Sequence, residues 1–322
     1  MAARAGGRAR VSDLRGLLKG PTELVLARLG PARLARRRAA SDTVILAYHD
    51  IVPEGSEPTG DRSLHLPRRE FARQLDRLVE THRVVSLADW RPGEAAGPPE
   101  PSDRRPRAIV TFDDAYLGAV TCGVDELVAR RLPATIFVVP ARLGRLTFWW
   151  DRLADPRLGA PAAHVRERAL DTLAGRDEDV ASWAREAGLP SIEPPEHART
   201  ATEEELAVAA ARPGITLGSH TWTHANLAAL GPDALDEELG ASAEWLERRF
   251  ASYIPWISYP YGLSSGEARA RAAGWYRGGL RIDGGFATAS HEPFDTPRVN
   301  VPSGASLAGF ELRAAGLVGT AP

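Results

Sequence analysis

Only one of the 322 residues is a cysteine, Cys122, which excludes an intramolecular disulfide framework and a cysteine-rich zinc site. Its place on an expected helix favours a buried packing role over a nucleophile. Charge of either sign is also short of a surplus: the formal net charge is -2, and no long run of one sign occurs beyond the N-terminus. A nucleic-acid partner is therefore not expected. No uninterrupted apolar run is long enough for the core of a signal peptide or for a membrane span, so a cytoplasmic protein is expected. No internal repeat is evident. What remains, with 43% hydrophobic residues, suits one large soluble α/β domain with insertions.

Residues 1–41 form a basic amphipathic extension in which Arg4, Arg8, Arg10, Arg15, Arg28, Arg33 and Arg36 to Arg38 are interspersed with leucines. Two readings stand for it. One is a partly disordered or core-capping segment; the other is an interfacial helix giving peripheral association with an anionic inner membrane face.

From residue 42 to about 310, strand-like and helix-like segments alternate, the pattern of parallel β/α architecture. Val44 to Tyr48 reads as the first strand. Phe71, Leu75, Leu78 and Val79 recur at helical spacing behind Pro67, a residue suited to a helix start. Arg83 to Ser86 is expected as a strand, 91–106 as an exposed loop, Leu117 to Arg131 as a helix and Ala134 to Val139 as a buried strand. About 141–213 reads as a helical insertion opening on Phe148-Trp149-Trp150. Those tryptophans either anchor the inserted helices or stack on a ligand, and the first reading is preferred. Pro232 to Phe250 is a helix, Ile254 to Tyr259 a strand, Glu267 to Ala273 a short helix, and 311–322 a weakly structured tail.

Two segments carry chemistry. In Gly218-Ser219-His220-Thr221-Trp222-Thr223-His224, two histidines four apart sit among small polar residues; on a helical turn both imidazoles face one metal ion. In Ala108 to Asp114, an apolar strand ends in adjacent carboxylates. One carboxylate with the two histidines leaves an open coordination position for water and substrate, and the second can take a proton. Neighbouring strand residues face opposite ways, so both acids reach one site only where the strand ends or bends, which Ala115-Tyr116 is expected to begin.

Thr111-Phe112-Asp113-Asp114 followed by Ser219-His220-Thr221-x-Thr223-His224 resembles the polysaccharide deacetylase family, the NodB-homology domains of carbohydrate esterase family 4. Val44 to Asp50, Ile257 to Gly262 and Thr296 to Val299 resemble further segments of that family in the right order, from about residue 42 to about residue 302. The resemblance implies a distorted (β/α) barrel of NodB-homology type and a metal-dependent deacetylase acting on an acetylated amino sugar in a glycan or glycan precursor. It makes Asp113 the general base, Asp114, His220 and His224 the metal ligands, and the backbone amide near Tyr261 an oxyanion donor. His49, on the first strand, matches the general acid of the circularly permuted subgroup that includes the poly-N-acetylglucosamine deacetylases. Zinc is the expected divalent metal, with cobalt, manganese, nickel and iron compatible with the same ligand types.

One position departs from the family pattern. Many members carry an arginine three residues before the tyrosine of Pro260-Tyr261-Gly262, and here Ser258 stands there. Arg298 is the expected substitute cation for Asp113. His65, His82, His164, His197 and His291 lie outside the matched motifs and read as ordinary loop or helix residues. Two other functions stay open: an amide hydrolase for a small non-sugar substrate, and a non-catalytic carbohydrate-binding protein.

Overall fold

Along the first strand, Val44, Leu46 and Tyr48 enter one hydrophobic core and Ile45 another, because successive side chains of a strand point to opposite faces. A computed structural model, which describes residues 43–91, 105–282, 284–288 and 290–316, shows how that alternation closes a barrel.

The strands are β1 (Thr43–Tyr48), β2 (Asp50–Val52), β3 (His65–Pro67), β4 (Arg83–Val84), β5 (Arg107–Phe112), β6 (Ala134–Val138), β7 (Ala154–Asp155), β8 (Ala160–Pro161), β9 (Ile215–Ser219), β10 (Tyr253–Ser258), β11 (Gly278–Leu280) and β12 (Val299–Asn300). The main sheet runs β11-β10-β9-β6-β5-β1-β12 with every pairing parallel, and β4 shares an edge of β5 with β6. Its two ends are drawn together by the segment leading into β12: Arg281 N–H donates to Thr296 O at 2.9 Å and Arg298 N–H to Arg281 O at 3.1 Å, before Val299 pairs with Leu46. The result is the expected distorted (β/α) barrel. Ile45, Ile109, Phe137, Trp256 and Leu280 fill its interior, while the alternate positions pack outward against helices.

The helices follow from local sequence. In Arg68–Thr81, Phe71, Leu75 and Leu78 form one buried stripe, and proline precedes the first turn. Glu203–Ala210 starts with a capping box in which Thr202 and Glu205 satisfy each other's backbone N–H groups. This last helix packs in the main core through Leu206 and Ala209. It is thus the crossover helix feeding β9; between β6 and it lie a short helix Trp149–Arg152, the β7–β8 hairpin and helices Ala163–Glu167 and Asp177–Glu186.

Three expectations change. The helix expected over 117–131 runs continuously to Ala129 but contains a π-helical turn, Ala119–Gly123, ahead of Val124–Ala129, and Cys122 on that turn is half-buried rather than buried. The tail is ordered further than expected, because the helix Leu307–Ala314 buries Phe310, Leu312 and Ala314. Of Arg83 to Ser86 only Arg83–Val84 is strand, although Val85 N–H still donates to Ala108 O at 2.9 Å. The basic extension and most of the loop at 91–106 lie outside the described residues. Among the described residues no helix is long and apolar enough to cross a membrane.

Candidate active site

In a parallel barrel all strands present their carboxyl ends on one side, where functional side chains collect. Tyr48 pairs with Phe112, so His49 and Asp113 are the next residues along, and Asp113 N–H donates to Tyr48 O at 2.9 Å. Ser219 lies between Val138 and Ile257, which brings His220 and Ser258 to the same level. His49 and Asp113 share the inward phase of Ile45 and Ile109.

Backbone strain concentrates here. Five of the eight non-glycine residues with left-handed backbone among the described residues are Asp114, Ala115, Thr221, His224 and Tyr261, with φ of 72°, 51°, 66°, 70° and 59°. The turn at Asp114 and Ala115 is how two adjacent carboxylates reach one cavity. The two histidines are not on a helical turn as expected; they sit on a loop after β9 that reverses at Thr221 and His224. Small hydroxyl residues satisfy that loop internally: Ser219 Oγ accepts from Thr221 N–H at 3.2 Å, and Thr221 Oγ1 from His224 N–H at 3.1 Å. The buried carboxylate of Glu238, on the helix Pro232–Arg249, accepts Thr223 N–H at 2.8 Å and also the Thr223 hydroxyl.

Asp114 Oδ1 lies 3.3 Å from His224 Nε2 and 3.5 Å from His220 Nε2, and the two Nε2 atoms are 3.1 Å apart. Asp114 Oδ1 is buried and has no hydrogen-bond partner among the described residues. His220 Nδ1 faces only an acceptor, Ser258 O at 2.7 Å, so it carries the proton and leaves the Nε2 lone pair directed at the other two atoms. One carboxylate and two imidazole nitrogens converging in this way suit a divalent cation, zinc among them. Burial pushes the Asp114 carboxyl up to about 6 and the His224 imidazole down to about 3, and it lowers His220 as well.

Asp113 has a different environment. Arg298 grips it with Nη1 on Oδ1 at 2.8 Å and Nη2 on Oδ2 at 2.7 Å. Nη2 also donates to Ser258 Oγ at 2.7 Å, and that hydroxyl donates to Asp113 Oδ2 at 3.2 Å. Burial pushes the Asp113 carboxyl up, but the guanidinium and then His220 outweigh it and hold the group well below the usual carboxylate range. His49 lines the same cavity. Burial lowers its pKa, partly offset by Asp114 and Asp113.

Two histidines read as ordinary are not. His65 lies fully buried between two carboxylates, with Nδ1 2.9 Å from Asp50 Oδ2 and Nε2 2.9 Å from Asp151 Oδ1; His197 Nδ1 approaches the same Asp50 oxygen at 2.7 Å. These are hydrogen-bond distances that occupy both nitrogens of His65, so the cluster reads as an ionic network rather than a second metal centre. Burial alone would lower the His65 pKa, but Asp151 and then Asp50 raise it to about 10. The network continues toward the site: Tyr116 OH donates to Asp151 Oδ2 at 2.6 Å, and Trp150 Nε1 donates to Tyr116 OH at 2.9 Å. Trp150 stacks on Phe148 with ring centroids 4.4 Å apart and stands 4.9 Å from the His224 ring. Trp149 Nε1 donates to Tyr261 OH at 3.0 Å, and that hydroxyl donates to Gly175 O at 3.0 Å. Both tryptophans are buried, so they tie the short helix Trp149–Arg152 to the barrel while forming one wall of the cavity. His82 is buried beside Thr81, whereas His164 is exposed and His291 half-buried in surface segments.

The cavity has a volume of about 840 Å³ and takes in His49, Asp113, Asp114, His220, His224 and Tyr261. Arg298 stands behind it, fully buried, on the far side of Asp113. The fold resembles that of IcaB from Ammonifex degensii, with a TM-score of 0.59 at 18% identity over 85% of this chain and 97% of that one. It also resembles the deacetylase PplD of Streptococcus pyogenes, solved in complex with acetate (TM-score 0.57, 18% identity, 85% and 98% covered). The putative polysaccharide deacetylase BA0330 from Bacillus anthracis gives a TM-score of 0.58 at 16% identity, with 85% and 69% covered. No curated protein matches the sequence. The polysaccharide deacetylase family model matches residues 101–275, more than half of the chain and most of the strands that carry the site. The chain belongs to the polysaccharide deacetylase family, hydrolases of carbon–nitrogen bonds other than peptide bonds.

Proposed function

We propose that this glycan deacetylase removes the N-acetyl group of an acetylated amino sugar with the help of a divalent cation held by Asp114, His220 and His224. The observation that carries the proposal is the convergence of those three ligand atoms in one cavity with the ion-paired Asp113. A cation bound there supplies Lewis acidity, acidifying water and stabilising negative charge.

The remaining steps fall to side chains. Asp113, kept ionised by Arg298, accepts a proton from the water that attacks the acetyl carbonyl. Ser258, standing where relatives often carry arginine, leaves room for Arg298 to reach Asp113 from the barrel seam and hydrogen-bonds to both. The left-handed turn at Tyr261 directs the Pro260–Gly262 backbone at the site, where an amide helps to hold the oxyanion without reorganising. His49 donates the proton to the departing amine; burial lowers its pKa and so makes its protonated form a better donor. A glycan is favoured over a small amide because the cavity runs out to Leu158, which is 65% exposed, so a chain extending beyond the acetylated sugar has a surface to lie on.

The test is acetate release from chitooligosaccharides by chelator-treated protein before and after adding zinc or cobalt, with Asp113→Asn alongside. Release that is restored by metal and lost in the variant is expected. Equal rates with and without metal would overturn the proposal.

A further inference from the structure

Two loops far apart in sequence form the mouth of the cavity: residues 58–64 from the barrel and the β7–β8 hairpin with the helix behind it from the insertion. They are locked together. Arg62 N–H donates to Gly159 O at 2.8 Å and Arg62 Nη2 to Pro156 O at 3.1 Å. The aliphatic stem of Arg62 lies across Gly159, where a Cβ would come within 2.7 Å of it and where φ is +65°. Asp61 N–H donates to Asp151 Oδ1 at 3.0 Å, which fastens this strip to the buried His65 network. Among the described residues Arg166, with 51% of its side chain exposed, reaches only Asp61 Oδ2, at 3.5 Å; the other Asp61 oxygen accepts from Ser63 Oγ at 2.7 Å.

The mouth therefore presents two guanidiniums, each with five donors and most of them unspent on protein. Apart from Asp113 and Asp114, Asp61 is the only acid among the described residues that line the cavity, and Asp113 is already neutralised by Arg298. The surplus at the mouth is positive. A neutral sugar chain does not require it, and an amine product is repelled by it. A fork of guanidinium donors matches a phosphate or carboxylate.

We propose that the substrate carries an anionic oxygen group, phosphate or carboxylate, beside the acetylated sugar, and that Arg62 and Arg166 recognise it. The inference rests on the glycan deacetylase reading only for which bond is cut. The two arginines are specificity residues rather than catalytic ones.

Three probes of defined charge test it: chitotetraose, which is neutral; a heparosan tetrasaccharide, in which N-acetylglucosamine alternates with glucuronate; and N-acetylglucosamine 1-phosphate. Binding is read by calorimetry and deacetylation by acetate release, for wild type, Arg62→Ala, Arg166→Ala and the remote control Arg248→Ala. At least one anionic probe should bind about tenfold more tightly than chitotetraose, and each mouth variant should erase about five- to tenfold of that preference, chiefly in KM. The preference should shrink with added salt, and the control should keep it. Whether the uronate or the phosphate probe gains identifies the source of the charge. Equal binding of neutral and anionic probes by wild type overturns the proposal, as does a kcat-only loss in the arginine variants, which would assign them to product release. If no probe releases acetate but an anionic one still binds through the arginines, the deacetylase reading fails and this one stands.

Discussion

Arg298 and Asp113, 185 positions apart in the chain, form a two-pronged ion pair with no solvent exposure of the arginine and 1% exposure of the aspartate. The pair joins the seam of the barrel to the end of β5. It also sets the protonation state of the residue proposed as general base.

Removing one partner of such a pair leaves a buried charge uncompensated. Arg298→Ala is expected to cost about 3–5 kcal/mol of stability, and Arg298→Lys less, because lysine keeps the charge but loses the fork. Without the guanidinium the Asp113 pKa rises, so the acidic limb of kcat/KM against pH should move to higher pH in Arg298→Lys. Chemical denaturation and a pH–rate profile check the two parts; an unmoved acidic limb together with wild-type turnover would show that Arg298 does not tune Asp113.

Metal content gives the second prediction. Asp114→Ala and His220→Ala should lose stoichiometric zinc or cobalt, measured by elemental analysis on purified protein, with activity reduced by several orders of magnitude. Because burial pushes Asp114 up to about 6, protons compete with the cation below that pH. Affinity measured by competition with a chelator should therefore rise from pH 5 to pH 7. Flat affinity across that range would show that Asp114 is not a ligand.

His65 makes a prediction about stability alone. Its folded pKa of about 10 lies above its unfolded value of 6.5, so the imidazolium contributes its full stabilisation below about pH 6.5 and loses it as pH rises through about 10. The urea midpoint of the wild type should fall between pH 7 and pH 10. His65→Gln should be less stable at pH 6 by a few kcal/mol and should show a smaller fall over the same range. A variant as pH-sensitive as wild type would assign the fall to other groups.

Tyr261 separates side chain from backbone. Tyr261→Phe removes the hydroxyl shared by Trp149 and Gly175, at an expected cost of about 1–3 kcal/mol, but leaves the left-handed turn and its amide in place. Turnover should remain within about tenfold of wild type. His49→Gln should instead lower kcat by about 10²- to 10⁴-fold with little change in stability, as befits a lost proton donor. Steady-state kinetics with thermal melts on both variants distinguishes these patterns, and a larger kcat loss in Tyr261→Phe than in His49→Gln would reverse the assignment.

Features that depend on neighbours along the chain are legible without the fold. Strand alternation in Val44 to Tyr48, helical spacing in Phe71, Leu75 and Leu78, and the strand ending in Asp113-Asp114 are all local patterns, and their order along the chain marks the barrel and its family. The sequence also supplied the His220 and His224 pair as candidate ligands, because residues four apart meet in any tight turn; the turn itself is not helical, since side-chain hydroxyls from Ser219 and Thr221 stabilise a left-handed loop at Thr221 and His224 instead. Tertiary structure decided everything that depends on desolvation and on distant partners. His65 and His197 carry no motif, and Asp50 meets His197 across 147 positions only when the insertion folds back on the barrel. Arg62 lies across Gly159 for the same reason. A buried charge must find a counter-charge, but nothing in a linear sequence states which residues water will leave, so which aspartate meets which histidine or arginine is settled only by the packing of the folded chain.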